Sequence, residues 1–132
     1  MFIKVSVLVL GVAMCCSSAM AHAADSDSSK QFDACMDKSG GVTSEMLNCI
    51  GAETKVQDAR LNLAYKGLMA TLTPSRKQQL QAAERAWLKY RDANCSFYED
   101  PDGGTLATVN GADCIRSSTT SRAKELQGFL NN

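Results

Sequence analysis

Histidine is almost missing from this chain. The single copy, His22, lies in a segment expected to be removed, so a mature protein would have no Ser-His or Cys-His pair and would lack the imidazole that most zinc sites use. An excess of either charge is missing too. The 14 basic and 14 acidic residues fall to 13 against 14 when Lys4 leaves with the leader, a net charge of −1, which points away from nucleic acid and anionic membrane surfaces. The chain also has no apolar run long enough to cross a bilayer, since Val5 to Cys16 falls short of the roughly 20 residues a spanning helix needs. Asp100-x-Asp102-Gly103 lacks the third acidic position and the closing glutamate of an EF-hand, so neither a metal nor a cofactor is expected.

What is present begins with a signal peptide over residues 1–23. One early lysine, an apolar stretch, and the small-x-small patterns Ala19-Met20-Ala21 and Ala21-His22-Ala23 predict export and cleavage, leaving one small domain over residues 24–132. Cys15 and Cys16 raise the lipoprotein alternative, but Met14 is a poor residue to precede a lipidated cysteine, so ordinary cleavage is favoured. The remaining cysteines, Cys35, Cys49, Cys95 and Cys114, are even in number in a short exported chain. They predict two disulfides in an oxidising periplasmic or secreted setting.

The pattern along the mature chain is helical. Asp25 to Lys30 reads as a frayed polar arm, and Gln31 to Lys38 as a short helix turning Phe32, Cys35 and Met36 inward and ended by Gly40-Gly41. A long helix is predicted from Ser44 to Thr71, with Thr43 as its cap and Leu47, Ile50, Leu61, Ala64 and Leu68 on one line interrupted at Thr54 and Gln57. Gly67 costs about 1 kcal/mol relative to alanine in a helix, which predicts close packing there.

Thr73-Pro74 breaks the pattern, and a second long helix follows from Pro74 to Phe97 with Leu80, Ala83, Trp87, Tyr90 and Phe97 as its stripe. So short a break predicts an antiparallel hairpin with apolar stripes facing each other. Ser96 to Asp113 reads as an acidic, turn-rich loop with at most a brief extended stretch over Thr105 to Val109. A last helix opens at Cys114, with Ala112 or Asp113 near its cap and Ile115, Thr119, Arg122, Leu126 and Phe129 or Leu130 at core spacing. The fold class is therefore all-α, a small disulfide-stapled bundle on a long helix hairpin, with a loop before the last helix.

Among the polar residues, Asp58, Asn62, Glu84, Arg91 and Arg122 are expected to form a half-buried network, and Trp87, Tyr65 and Tyr90 to serve the core. Glu84 with Asp58 across the hairpin is the one carboxylate pair that admits a weak hydrolase, although the expected protein is not an enzyme. The residues alone leave the disulfides open. Local pairing and a crossed Cys49–Cys95 bridge at similar levels of the hairpin both have geometry behind them.

Taken together, Cys35, Thr43-x-x-Met46-x-x-Cys49, Asp58-x-x-Leu61-Asn62-x-x-Tyr65, Glu84-Arg85-Ala86-Trp87-Leu88-Lys89-Tyr90-Arg91-Asp92-x-x-Cys95, Gly103-Gly104, Cys114 and Thr119-x-x-Arg122 resemble the LprI-type family of small secreted bacterial proteins. The resemblance covers nearly the whole mature chain, and its most specific block is Trp-x-x-Tyr-Arg-Asp-x-x-Cys. It implies local pairing, Cys35 with Cys49 and Cys95 with Cys114. It also implies inhibition of a lysozyme-like partner, without the lipid anchor of the founding member.

Glu99, Asp100, Asp102 and Asp113 are then the candidate binding residues, four negative charges on one bridged segment facing an enzyme class whose members are often strongly basic. A non-inhibitory envelope or immunity-type module using the same loop is the alternative.

Overall fold

Four helices make up the computed structural model, which describes residues 28–131: α1 (Lys30–Ser39), α2 (Thr43–Thr71), α3 (Pro74–Tyr98) and α4 (Gly104–Leu130). No strand occurs among the described residues. The expected leader over residues 1–23, its cleavage site and most of the polar arm lie outside them.

Local chemistry explains most of the boundaries. Ser29 caps α1 by accepting from the Phe32 N–H at 3.1 Å, and Gly40 ends the helix in the left-handed region at φ 57°. Pro74 opens α3 at a position where its missing N–H costs nothing. Thr43 behaves differently from its expected capping role. It is the first residue of α2, and Val42 takes the cap position with no side-chain bond.

Cross-helix pairs give the topology. Ser29 with Glu53 and Cys35 with Cys49 run α1 antiparallel to α2; Glu84 with Arg122 and Cys95 with Cys114 run α3 antiparallel to α4; Arg60 with Gln127 and Gly67 with Leu130 run α2 parallel to α4. Both disulfides are therefore local, with Cα atoms 5.7 Å apart for Cys35–Cys49 and 5.3 Å for Cys95–Cys114.

The packing corrects one expectation. The stripes of α2 and α3 do not close directly on one another, because α4 packs most extensively on α2 and next on α3. The core is small: Leu61, Ala64 and Leu68 from α2 meet Ala123 and Leu126 from α4, with Tyr65, Leu72, Leu80 and Trp87 packed around them. Gly67 does sit at a close approach, where a Cβ would lie 3.2 Å from the Leu130 side chain.

Two further corrections concern register. The inward face of α3 runs through Leu80, Glu84, Trp87, Arg91 and Cys95, while Ala83 is exposed and Tyr90 and Phe97 are 64% and 83% exposed. Reading only apolar residues as inward shifts the stripe one position off at Ala83 and Tyr90. At the other end, α4 starts ten residues before Cys114. Gly, Thr and Asn in Gly104 to Asp113 are poor helix formers, but Ala107, Val109 and Gly111 are buried against the rest of the fold, and that packing outweighs weak propensity. Phe129 likewise points outward at 57% exposure.

Candidate functional site

The Cys95–Cys114 bridge ties the last turn of α3 to the fourth turn of α4 and closes a ring of both helix ends and a tight turn. The turn is Glu99 to Gly103, in which Gly103 N–H donates to the Asp100 carbonyl at 3.0 Å and Asp102 N–H to the Asp100 carboxylate at 2.9 Å. Gly111 is required on the facing helix, since a Cβ there would lie 2.9 Å from the Cβ of Glu99 and 3.5 Å from the Cys95 carbonyl.

Glu99, Asp100 and Asp102 are exposed at the tip, and no Lys or Arg occurs between Cys95 and Cys114. Asp113 is placed differently from its predicted position beside the other three. It lies inside α4, paired with Arg116 at 2.6 Å, so the free charge of the tip comes from the other three carboxylates. Phe97 and Tyr98 stand beside them, 83% and 53% exposed, with their rings edge to face at 6.4 Å, and Leu106 is 63% exposed on the opposite limb. The sequence reading placed Phe97 in the core and overlooked Tyr98. The signal that finds both is the step of four from Trp87 to Arg91 and again to Cys95, which rotates Phe97 to the outside.

The residues expected to form one network are divided between separate contacts. Glu84 accepts from Arg122 through Nε at 2.8 Å and also through Nη2, and their side chains are 12% and 11% exposed. Arg122 also meets Glu125 at 2.6 Å. Burial works against the Arg122 charge, but Glu84 and Glu125 together more than compensate and raise its pKa above the ordinary guanidinium value. Arg91 pairs with Asp92 at 2.7 Å and donates to Thr119 at 3.4 Å, while Asp58 accepts from Asn62 at 3.0 Å and shares no hydrogen bond with Glu84 among the described residues. The guanidinium carbons of Arg91 and Arg122 lie 5.1 and 5.9 Å from the Trp87 ring centroid, so the indole is held by cation–π contacts. Glu84 is thus committed to Arg122, although it and Asp58 both line the open groove between α2 and α3.

A second buried polar cluster was missed because Gln57 read as an interruption in an apolar line. Glu53 and Gln57 are 4% and 1% exposed and fully engaged: Ser29 donates to Glu53 from its hydroxyl at 2.6 Å and its N–H at 3.1 Å, and the Gln57 amide donates at 2.6 Å. Arg116 stacks 4.5 Å from the Phe32 centroid and reaches Ser28 at 3.4 Å. Desolvation pushes the Glu53 pKa up, yet the bonds from Ser29 and Gln57 and the nearby Arg116 charge outweigh it and hold the group below its ordinary value. This cluster anchors Ser28 and Ser29, the described end of the predicted arm.

Between α2 and α3 lies an open groove of about 460 Å³, lined on one bank by Asp58, Asn62 and Tyr65 and on the other by Gln81, Arg85 and Trp87. No helix among the described residues is long and apolar enough to cross a membrane, and no group of three His, Cys, Asp or Glu side chains among them is placed to hold a metal ion.

A family model described as lysozyme inhibitor LprI matches residues 35–126. An uncharacterized protein of Rhizobium meliloti (strain 1021) is 24% identical over 98 residues, covering 64% of this chain and 70% of that protein. No solved structure matches.

Proposed function

The chain belongs to the LprI family, and from that premise we propose that it is an extracytoplasmic binding protein that inhibits a basic, lysozyme-type muramidase through its disulfide-closed tip. The observation that carries this reading is the bridged turn exposing Glu99, Asp100 and Asp102 directly beside Phe97 and Tyr98. Acidic groups facing a basic enzyme raise the association rate, and exposed aromatic side chains are the residues that most often anchor a protein interface. A turn already closed by a disulfide loses less conformational freedom on binding than an open loop. The two disulfides support an oxidising compartment, and the expected leader gives a periplasmic or secreted destination.

The test is muramidase activity against added protein, together with direct binding at low and high salt. The intact protein inhibits, and affinity falls as salt rises. Changing Glu99, Asp100 and Asp102 to Ser slows association, and changing Phe97 to Ser speeds dissociation. Full muramidase activity in the presence of excess intact protein refutes the proposal. Binding without inhibition assigns the tip to a non-inhibitory envelope module instead.

A further inference from the structure

We propose that the groove between α2 and α3 is a binding site for a short, uncharged pyranose oligosaccharide. Its volume of about 460 Å³ lies in the range of small-molecule sites, roughly 300–1,000 Å³. It exists because α4 packs against both helices of the hairpin and takes the contacts that would otherwise close α2 on α3.

The chemistry of the walls selects the ligand. Trp87 and Tyr65 line the groove from opposite banks, each half-buried against the core, and offer it the part of their aromatic surface that the core and the guanidinium groups of Arg91 and Arg122 leave open. Gln81, Arg85 and the Tyr65 hydroxyl have no hydrogen-bond or ion-pair partner among the described residues. Asn62 uses its amide N–H on Asp58 and keeps its carbonyl free. Donors and acceptors thus line both rims, as a ligand bearing many hydroxyls requires.

Charge excludes the ionic alternatives. Asp58 and Glu84 on the lining stand against Arg85, with Arg122 paired behind Glu84, so charges of neither sign dominate the walls. The proposal does not depend on the inhibitor reading.

Trp87 is the only tryptophan, so its fluorescence reports on this groove alone. The exported protein is titrated with tri-N-acetylchitotriose and with maltotriose, and with trilysine and triglutamate as charged controls. At least one of the two sugars is expected to give a saturable change with a dissociation constant of about 1 mM or tighter. The exposed-site variants Asn62→Ala and Gln81→Ala each weaken it about threefold to tenfold, the worth of one hydrogen bond. The Glu99, Asp100 and Asp102 to Ser variant binds sugar as the parent does, which separates this groove from the tip. No saturable response to either sugar up to about 10 mM, equal affinity in Asn62→Ala and Gln81→Ala, or a response to the charged peptides alone overturns the proposal.

Discussion

Arg122 tests the energetics of the fold most sharply, because its two carboxylate partners are unequally buried. Replacing it with leucine leaves Glu84, 12% exposed, without the only side chain that donates to it among the described residues. Stranding one member of a buried pair costs about 3–5 kcal/mol, and the groove beside Glu84 admits some water, so about 2–3 kcal/mol is expected. The opposite change, Glu84→Gln, leaves Arg122 paired with Glu125 and should cost only about 1 kcal/mol. Combining the two removes the stranded charge, so the double variant should lose about 1 kcal/mol less than the sum of the singles. Urea unfolding at neutral pH with disulfides intact measures all three. Arg122→Leu should also lower Tm by roughly 8–24 °C, at about 4–8 °C per kcal/mol for a domain of this size. Equal costs for the two single changes, or strict additivity in the double, would refute the assignment of Glu84–Arg122 as a coupled, half-dry pair.

Three other outcomes follow from separate parts of the structure. Because the Glu53 pKa is held below its ordinary value of 4.5, its contribution is fully present above that pH and is lost as pH falls through the folded value. The stability advantage of the parent over Glu53→Gln should therefore shrink below pH 4.5 in acid-unfolding curves. Replacing Cys95 and Cys114 together with alanine should cost about 3 kcal/mol from a closure of 19 residues, with helical circular dichroism retained below the melting transition. Gly67→Ala should change stability by less than about 1 kcal/mol, since only the movable end of Leu130 opposes the gain in helix propensity. Gly111→Ala should destabilise by about 1–3 kcal/mol, since its Cβ meets Glu99 and the Cys95 backbone. Thermal unfolding of the pair checks that order.

The all-α class, the long second and third helices, the break at Thr73-Pro74 and the family were readable from residue order. Each depends on local signals: helical spacing of Ile50, Leu61 and Leu68, the restriction that Pro74 places on Thr73, and cysteines at set intervals. The candidate tip was only partly legible. Glu99, Asp100 and Asp102 were placed on it, but Asp113 was misplaced and the flanking Phe97 and Tyr98 were not seen as surface.

What residue order could not supply was the central position of α4 and everything that follows from it. An apolar-stripe reading assumes that inward positions are apolar, whereas Glu84 and Arg91 on α3 and Glu53 on α2 face inward because partners on other helices or in the N-terminal arm satisfy them, and Gln57 because Glu53 and Arg60 of its own helix do. The same holds for Gly104 to Asp113, whose weak helical propensity is overridden by burial that exists only once α3 and the disulfide are in place. Local chemistry thus set the elements and their ends. The faces they turn inward, and the groove left open between α2 and α3, depend on contacts between residues distant in sequence, and those exist only in the folded chain.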